Sequence, residues 1–428
     1  MIDMIDSSTV DIDAMLRKRE DAQPDVSAAV GEILQAVKTR GDAALLDYTE
    51  RFDGVRPAAL RVTAQEIDTA MAQVGEAYLA ILREAAENIV NFHSRQVRQG
   101  FVMAERPGIV MGQRVLPLER VGVYVPGGTA AYPSTVLMDV IPAKIAGVSQ
   151  IIMVTPPEKD GSVHPNILAA AGVAGVTDIY KVGGAQAVAA LSYGTQSIPR
   201  VDKIVGPGNI YVATAKRMVY GMVDIDMIAG PSDILIIADE SADAAFVAAD
   251  MLGQSEHDEN AAAVLVTTSA VLAGEVQAEL KKQLALLSRK EIAEASLQKN
   301  GRILLTSTIE KAAELSNKIS PEHLEICVNE PFALLPAIRN AGSVFLGHYT
   351  PEALGDYFAG PNHTLPTAGT ARFYSPLSVD DFVKKSSYLY YDKTALKQVA
   401  DKVITFAESE GLTAHANSVA VRKATEEA

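Results

Sequence analysis

Residues 225–257 read IDMIAGPSDILIIADESADAAFVAADMLGQSEH. Gly230, Pro231 and Ser232 form a tight turn, and the apolar run 234–238 behind it has the length and composition of a strand buried on both faces. Residues 239–242 offer a helix start, and 244–253 have the small, apolar composition of a helix that packs closely on a sheet. Gln254 and His257, three residues apart, share one face of that helix. Either they share a partner such as a metal ion, or they are a plain cap and surface pair.

The same alternation extends in both directions. Upstream, 121–125 is a strand, Pro126-Gly127-Gly128-Thr129 a turn, and a helix starts near Pro133, a residue that suits a first helical turn. Residues 151–155 and 179–182 are further strands, and Ile204-Val205 leads into Gly206-Pro207-Gly208-Asn209. Downstream, 263–267, 303–306, 324–328 and 343–346 are strands separated by helices over 270–287 and 309–318. This rhythm predicts an open, mostly parallel α/β sheet in each half. The halves match in rhythm and not in residues, which leaves an internal duplication open. Residues 26–97 read as helices, with Val26, Val30, Ile33, Leu34 and Val37 at helical spacing. His93, in a polar neighbourhood, is expected on the surface.

A chain of 428 residues predicts about three domains. Hydrophobic residues at 48% and charged residues at 21% fit a globular protein, and a net charge of −15 argues against nucleic acid or an anionic membrane as partner. The opening residues are acidic and lack an apolar signal region, and no apolar run approaches the ~20 residues of a membrane span. The single cysteine, Cys327, excludes an internal disulfide and a Cys-rich metal site. The expected compartment is the cytoplasm.

In such sheets ligands sit where strands end and glycine turns begin. The dinucleotide fingerprint is absent: Gly206, Gly208 and Tyr211 give G-x-G-x-x-Y, the turn Gly183-Gly184-Ala185-Gln186 lacks a third glycine, and no Walker A sequence occurs. Ser320-Pro321-Glu322-His323 places a carboxylate beside an imidazole just before a buried strand. Histidine can take a proton from an alcohol near neutral pH, and a carboxylate can orient water. Adjacent strand residues face opposite ways, so both serve one substrate only from the turn before the strand. The run Gly355-Asp356-Tyr357-Phe358-Ala359-Gly360-Pro361-Asn362-His363 reads as a loop that projects a carboxylate. Glu410 and His415 follow a helix that Gly411 terminates. Two imidazoles, His257 and His415, and the Asp356 carboxylate, with Gln254 as a weaker donor, suit zinc or another borderline divalent ion. Their spacing is too wide to make a metal motif by itself.

The order of these blocks, with ERVGVYVPGG, IPAKIAGV, GGAQAVAAL, KIVGPGNIYV and SPEHLEI, closely resembles the histidinol dehydrogenase family, the zinc- and NAD-dependent enzymes that end histidine biosynthesis. The resemblance covers residues 26–422. It implies two incomplete Rossmann-like domains, the first from 24–128 with 232–377 and the second from 129–231. A helical arm over 1–23 and a dimerisation tail over 378–428, exchanged in a homodimer, complete the expected architecture.

By the same resemblance Tyr124, Gln186 and Asn209 contact NAD, and one zinc per subunit is held by Gln254, His257, Asp356 and His415. Ser232, Glu410 and His363 line the substrate pocket with those ligands and His323. His323 is the base and Glu322 the activator of water, while Glu410 and His415 complete the neighbouring chain's site. The sequence departs from the family pattern at Asp224, Asp233, Lys385 and Ser386, and none of these is expected to touch an implied ligand. The implied reaction is the two-step oxidation of L-histidinol to L-histidine, with reduction of two NAD. The alternatives are a paralogous dehydrogenase of another small alcohol, on the same scaffold, and a non-catalytic sensor of NAD or metal.

Overall fold

The computed structural model describes residues 2–9, 11, 24–127 and 131–424. They fall into two units, one of Met1–Gln96 with Leu118–Phe382 and one of Val97–Pro117 with Val383–Ala428. In chain order the strands are β1 Met4–Asp6, β2 Phe101–Met103, β3 Ile109–Pro117, β4 Arg120–Tyr124, β5 Gln150–Thr155, β6 Asp178–Lys181, β7 Lys203–Val205, β8 Asp224–Ile225, β9 Asp233–Ala238, β10 Ala262–Thr267, β11 Arg302–Leu305, β12 His323–Cys327, β13 Ser343–Leu346 and β14 Val383–Tyr391. None of the described helices is long and apolar enough to cross a membrane.

The first unit holds two parallel sheets, of order β6-β5-β4-β7-β8 and β1-β11-β10-β9-β12-β13. All six residues of β9 are buried, as expected for a central strand with helices on both faces. The helix Ala244–Ser255 starts where Asp243 accepts a hydrogen bond from the Ala245 N–H at 2.7 Å. Its Val247, Ala248, Met251 and Leu252 share one core with Ile234 and Ile236 of β9. That packing fixes its C-terminal end, and with it Gln254, against the start of the sheet.

The packing corrects the expected domain boundaries. The helices between Ser27 and His93 lay their apolar stripes on the five-stranded sheet: Val30, Leu34 and Val37 pack with Ile152 and Val154, and Ile67, Leu82 and Ile89 with Val121 and Met153. β4 is the central strand of that sheet. Residues 24–96 and 118–127 therefore belong with the lobe expected over 129–231, while 97–117 fall in the second unit. At the N-terminus, β1 pairs in parallel with β11 where a helical arm was expected; residues 1, 10 and 12–23 of that arm and residues 128 and 129 of the predicted turn lie outside the described residues. His93 is buried, with Nδ1 2.7 Å from Gln96 Oε1, because its helix turns that face toward the core.

The second unit is an antiparallel sheet, β14-β3-β2, and two helices, Lys393–Ser409 and Thr413–Lys423. β14 pairs with β3 from Val383 opposite Pro117 to Tyr391 opposite Ile109. Gly112 leaves room for the Tyr388 ring, which a Cβ would meet at 2.3 Å. Residues 383–391 start within the run in which the tail was expected to begin.

Candidate active site

A cavity of about 770 Å³ opens in the first unit between the carboxyl edge of the five-stranded sheet and the amino edge of the six-stranded one. Gly206, Gly208 and Asn209 line it from the first edge, and Ser232, Asp233, Glu322 and His323 from the second. Gln254 and His257 reach it from the end of the helix Ala244–Ser255, and Asp356 and His363 from the segment after β13. The expected loop 355–363 begins instead as a helical turn: Glu352–Leu354 runs into a π-helical turn, Gly355–Ala359. Such turns displace side chains from ordinary helical spacing and recur at functional sites.

Glu322 lies in the turn before β12 and His323 is the first residue of that strand, so both can address one cavity. The helix Ile309–Ile319 ends at Ser320, whose left-handed backbone (φ 54°, ψ 61°) redirects the chain into Pro321 and Glu322. The Glu322 N–H donates to Asp233 Oδ1 at 2.9 Å and the Asp233 N–H donates to Glu322 Oε2 at 3.0 Å. This reciprocal clasp joins the first ends of β9 and β12. Aspartate at 233, a departure from the family pattern, is long enough to make it, and against expectation this residue touches an implied ligand, its N–H reaching the Gln254 amide oxygen at 2.7 Å.

His323 Nδ1 is 3.2 Å from the Asp233 carbonyl oxygen. A carbonyl only accepts, so Nδ1 carries a proton and Nε2 is the nitrogen left to exchange one. Nε2 is buried with no hydrogen-bond partner and stands 3.4 Å from Asp356 Oδ1. Burial opposes charge on His323, but Glu352, Glu322 and Asp356 outweigh it and hold the imidazole well above its ordinary pKa. Burial pushes the Glu322 and Glu352 carboxyls up to about 8, with His323 pulling the other way. It would raise Asp356 too, but His323 beside it keeps that carboxyl below the usual range. His257, at the cavity mouth, is exposed to solvent, yet the protein packed around its ring lowers its pKa and favours the neutral, ligating form. His363 is likewise lowered by burial and sits 2.9 Å from the Asp356 carbonyl through Nδ1.

The residues fit a divalent cation. Ligand atoms of His323, Glu352 and Asp356 lie within 4.8 Å of one another, and Glu352 Oε2 is buried without a partner. Of the four ligands expected, Gln254, His257 and Asp356 line the cavity. His415 and Glu410 belong to the second unit, where both are exposed. The Gln254 amide satisfies its neighbours when its nitrogen donates to Glu352 Oε1 and its oxygen accepts from the Asp233 N–H, each at 2.7 Å. Glu352 was missed in the sequence, although its spacing of four from Asp356 is a helical signal for two carboxylates on one face.

Among the NAD contacts expected, only Asn209 lines the cavity. It caps the helix Ile210–Val219, its Oδ1 accepting from the Tyr211 and Val212 N–H groups at 3.0 and 3.2 Å. Tyr124 is buried under the turn 183–184, where its hydroxyl oxygen accepts from the Gly184 N–H at 3.0 Å. Burial pushes that phenol up to about 12. Gln186 is buried beside the same turn with Oε1 unpartnered.

Comparison with known proteins places this geometry in context. Residues 16–423 match the family model described as histidinol dehydrogenase. The chain is 58% identical over 390 residues to the histidinol dehydrogenase of Clostridium acetobutylicum, covering 91% of this chain and 90% of that one. It is 55% identical over 397 residues to that of Bacillus cereus, covering 93% and 92%. A crystal structure of histidinol dehydrogenase from Elizabethkingia anophelis superposes with a TM-score of 0.93 at 37% identity, covering 98% of each chain. The chain belongs to the histidinol dehydrogenase family.

Proposed function

We propose that the protein oxidises L-histidinol to L-histidine in two NAD-linked steps without releasing the aldehyde. The observation that carries this reading is the buried His323 imidazole, which lines the same cavity as Glu322, Gln254, His257 and Asp356 with Nε2 3.4 Å from Asp356 Oδ1. In the first step the alcohol carbon gives a hydride to NAD while His323 takes the hydroxyl proton. Glu322 then accepts a proton from water as its oxygen adds to the aldehyde carbon, while the carbonyl oxygen takes the proton held by His323, giving the hydrate and restoring the neutral imidazole. The hydrate gives a second hydride to a second NAD and its hydroxyl proton again to His323, leaving the carboxylic acid. The carboxylates around His323 stabilise the imidazolium formed at each oxidation, and retention in the cavity shields the aldehyde.

Gln254, His257 and Asp356, with His415 from a second unit, would hold a zinc ion. Zinc would supply a fixed positive centre that orients the nitrogen groups of histidinol. Ser232 and His363 line the same pocket, and Glu410, exposed beside His415 on the second unit, would reach the substrate with it. Tyr124, Gln186 and Asn209 would contact NAD at the carboxyl edge of the five-stranded sheet, used in the Rossmann-like manner. Exchange of the second unit in a cytoplasmic homodimer would bring Glu410 and His415 to the partner's cavity.

Steady-state NADH formation with L-histidinol tests the reading. The expected result is two NADH per histidinol, lost on chelation and regained with zinc. Well-folded, zinc-loaded protein that leaves histidinol untouched overturns it in favour of another small alcohol.

A further inference from the structure

We infer that the buried ion pair of Lys216 and Asp226 is a positioning device for the turn 206–209, holding the turn in the shape that receives the dinucleotide. The inference rests on the reading that this turn binds NAD. Both side chains are nearly wholly buried, 2% and 1% exposed. Together they clasp one residue by both its peptide groups: the Gly206 N–H donates to Asp226 Oδ2 at 2.8 Å, and Lys216 Nζ donates to the Gly206 carbonyl at 3.0 Å. Lys216 and Asp226 are themselves in direct contact. The other Asp226 oxygen accepts from the Met227 N–H at 2.6 Å.

The clasp joins three elements at the cavity wall. Lys216 lies on the helix Ile210–Val219, which Asn209 caps, and Asp226 directly follows β8. Gly206 directly follows β7 with φ +110°, and a Cβ there would stand 2.1 Å from the Tyr124 carbonyl oxygen and 3.0 Å from Asp139 Oδ2. The turn is thus packed on its far side and pinned at its first peptide, while Gly206, Gly208, Asn209 and Asp226 line the cavity. A buried ion pair is a poor source of stability, since desolvation of both charges cancels most of their attraction and an apolar pair of similar volume often serves as well. What an apolar pair cannot do is satisfy the N–H and C=O of Gly206, which then pull the turn toward water or other partners.

Two double variants of the full-length, zinc-loaded protein separate positioning from bulk stability. Lys216→Met with Asp226→Leu keeps the volume and removes the clasp; Lys216→Gln with Asp226→Asn keeps a donor and an acceptor and removes only the charge. The apolar pair should raise KM for NAD about tenfold or more, whereas the amide pair should stay within about threefold of the parent. KM for histidinol and zinc content should hold in both. An unchanged KM for NAD in the folded apolar pair overturns the inference, as does an equal rise in KM for histidinol. If the apolar pair does not fold, Lys216→Met alone, in which Asp226 protonates rather than stand unpaired, is read in the same way. NADH binding followed by its own fluorescence, without substrate, distinguishes this from the reading beneath it. Binding by the parent that weakens in the apolar pair, with no turnover of histidinol, overturns the substrate and keeps the clasp; no binding by the parent overturns both.

Discussion

The Gln254 amide nitrogen donates to Glu352 Oε1 across 2.7 Å, and this bond decides which end of the amide is left for a ligand. Glu352 is in turn fixed from the sheet, its N–H donating to Glu325 Oε1 of β12 at 2.8 Å. The orientation of Gln254 is therefore passed from the same strand that begins with His323. A carboxylate that accepts from a metal-binding side chain sets both its aim and its basicity.

Glu352→Ala leaves the amide held only through its oxygen and the Asp233 N–H and should weaken zinc binding about 10–100-fold. Glu352→Gln, which keeps an oxygen acceptor, should stay within a few-fold. Competition with a chelator of known affinity measures both, and undiminished affinity in the alanine variant would show that Gln254 is aimed by something else.

The two neighbours Glu322 and His323 should fail differently. His323→Asn removes the base of both oxidations and should lower NADH formation from histidinol and from histidinaldehyde alike, by about 10²–10⁴. Glu322→Gln should leave the first hydride transfer largely intact and slow the aldehyde step. Single-turnover NADH traces with each substrate separate the steps, and equal loss on both ends the division of roles.

How much of this was legible in the sequence follows from where each signal is written. β9 is a central strand, buried throughout, and its apolar run states as much. Glu322 and His323 stand together in the chain, so their pairing was visible before the fold. β14 was not visible as a strand: its residues are nearly all exposed in the chain, so no alternation marks a buried face, and its partner β3 lies far away in sequence. The helices before Val97 show an apolar stripe but not which sheet it covers, and that choice was misassigned. Gln254, His257 and Asp356 were joined by family resemblance, since long-range contacts leave no local pattern. Glu352 carried a helical spacing to Asp356 and was overlooked because glycine and proline downstream suggested a loop.

Ser320 offers a test of how the backbone aims Glu322 and His323. It is fully buried in the left-handed region, with Oγ donating to the Asn317 carbonyl at 2.9 Å. A β-branched residue there adds strain of about 1–3 kcal/mol. Ser320→Val should lower the urea midpoint and reduce kcat by displacing Glu322 and His323, whereas Ser320→Gly, which accepts the same φ freely, should lose only the side-chain hydrogen bond. A valine variant with parental kcat would show that the turn at 320 does not position the pair.

Asp139 makes the pH dependence of stability testable at one group. It is completely buried on the helix Pro133–Ala146, its Oδ1 accepting from Thr364 Oγ1 at 2.8 Å while Oδ2 has no partner. Burial pushes its carboxyl from an ordinary 3.8 up to about 8, with the Thr364 hydroxyl pulling the other way. Between those values the folded protein keeps a proton that the unfolded chain has released, so Asp139 makes the fold less stable as pH rises through this window. The slope is at most about 1.4 kcal/mol per pH unit. Asp139→Asn keeps an oxygen to accept from Thr364 and has no proton to lose. Its urea midpoint should therefore gain on that of the parent progressively from about pH 5 to about pH 8. A difference that stays constant over that range would mean that Asp139 is ionised in the folded protein, and that its second oxygen has found a partner in solution.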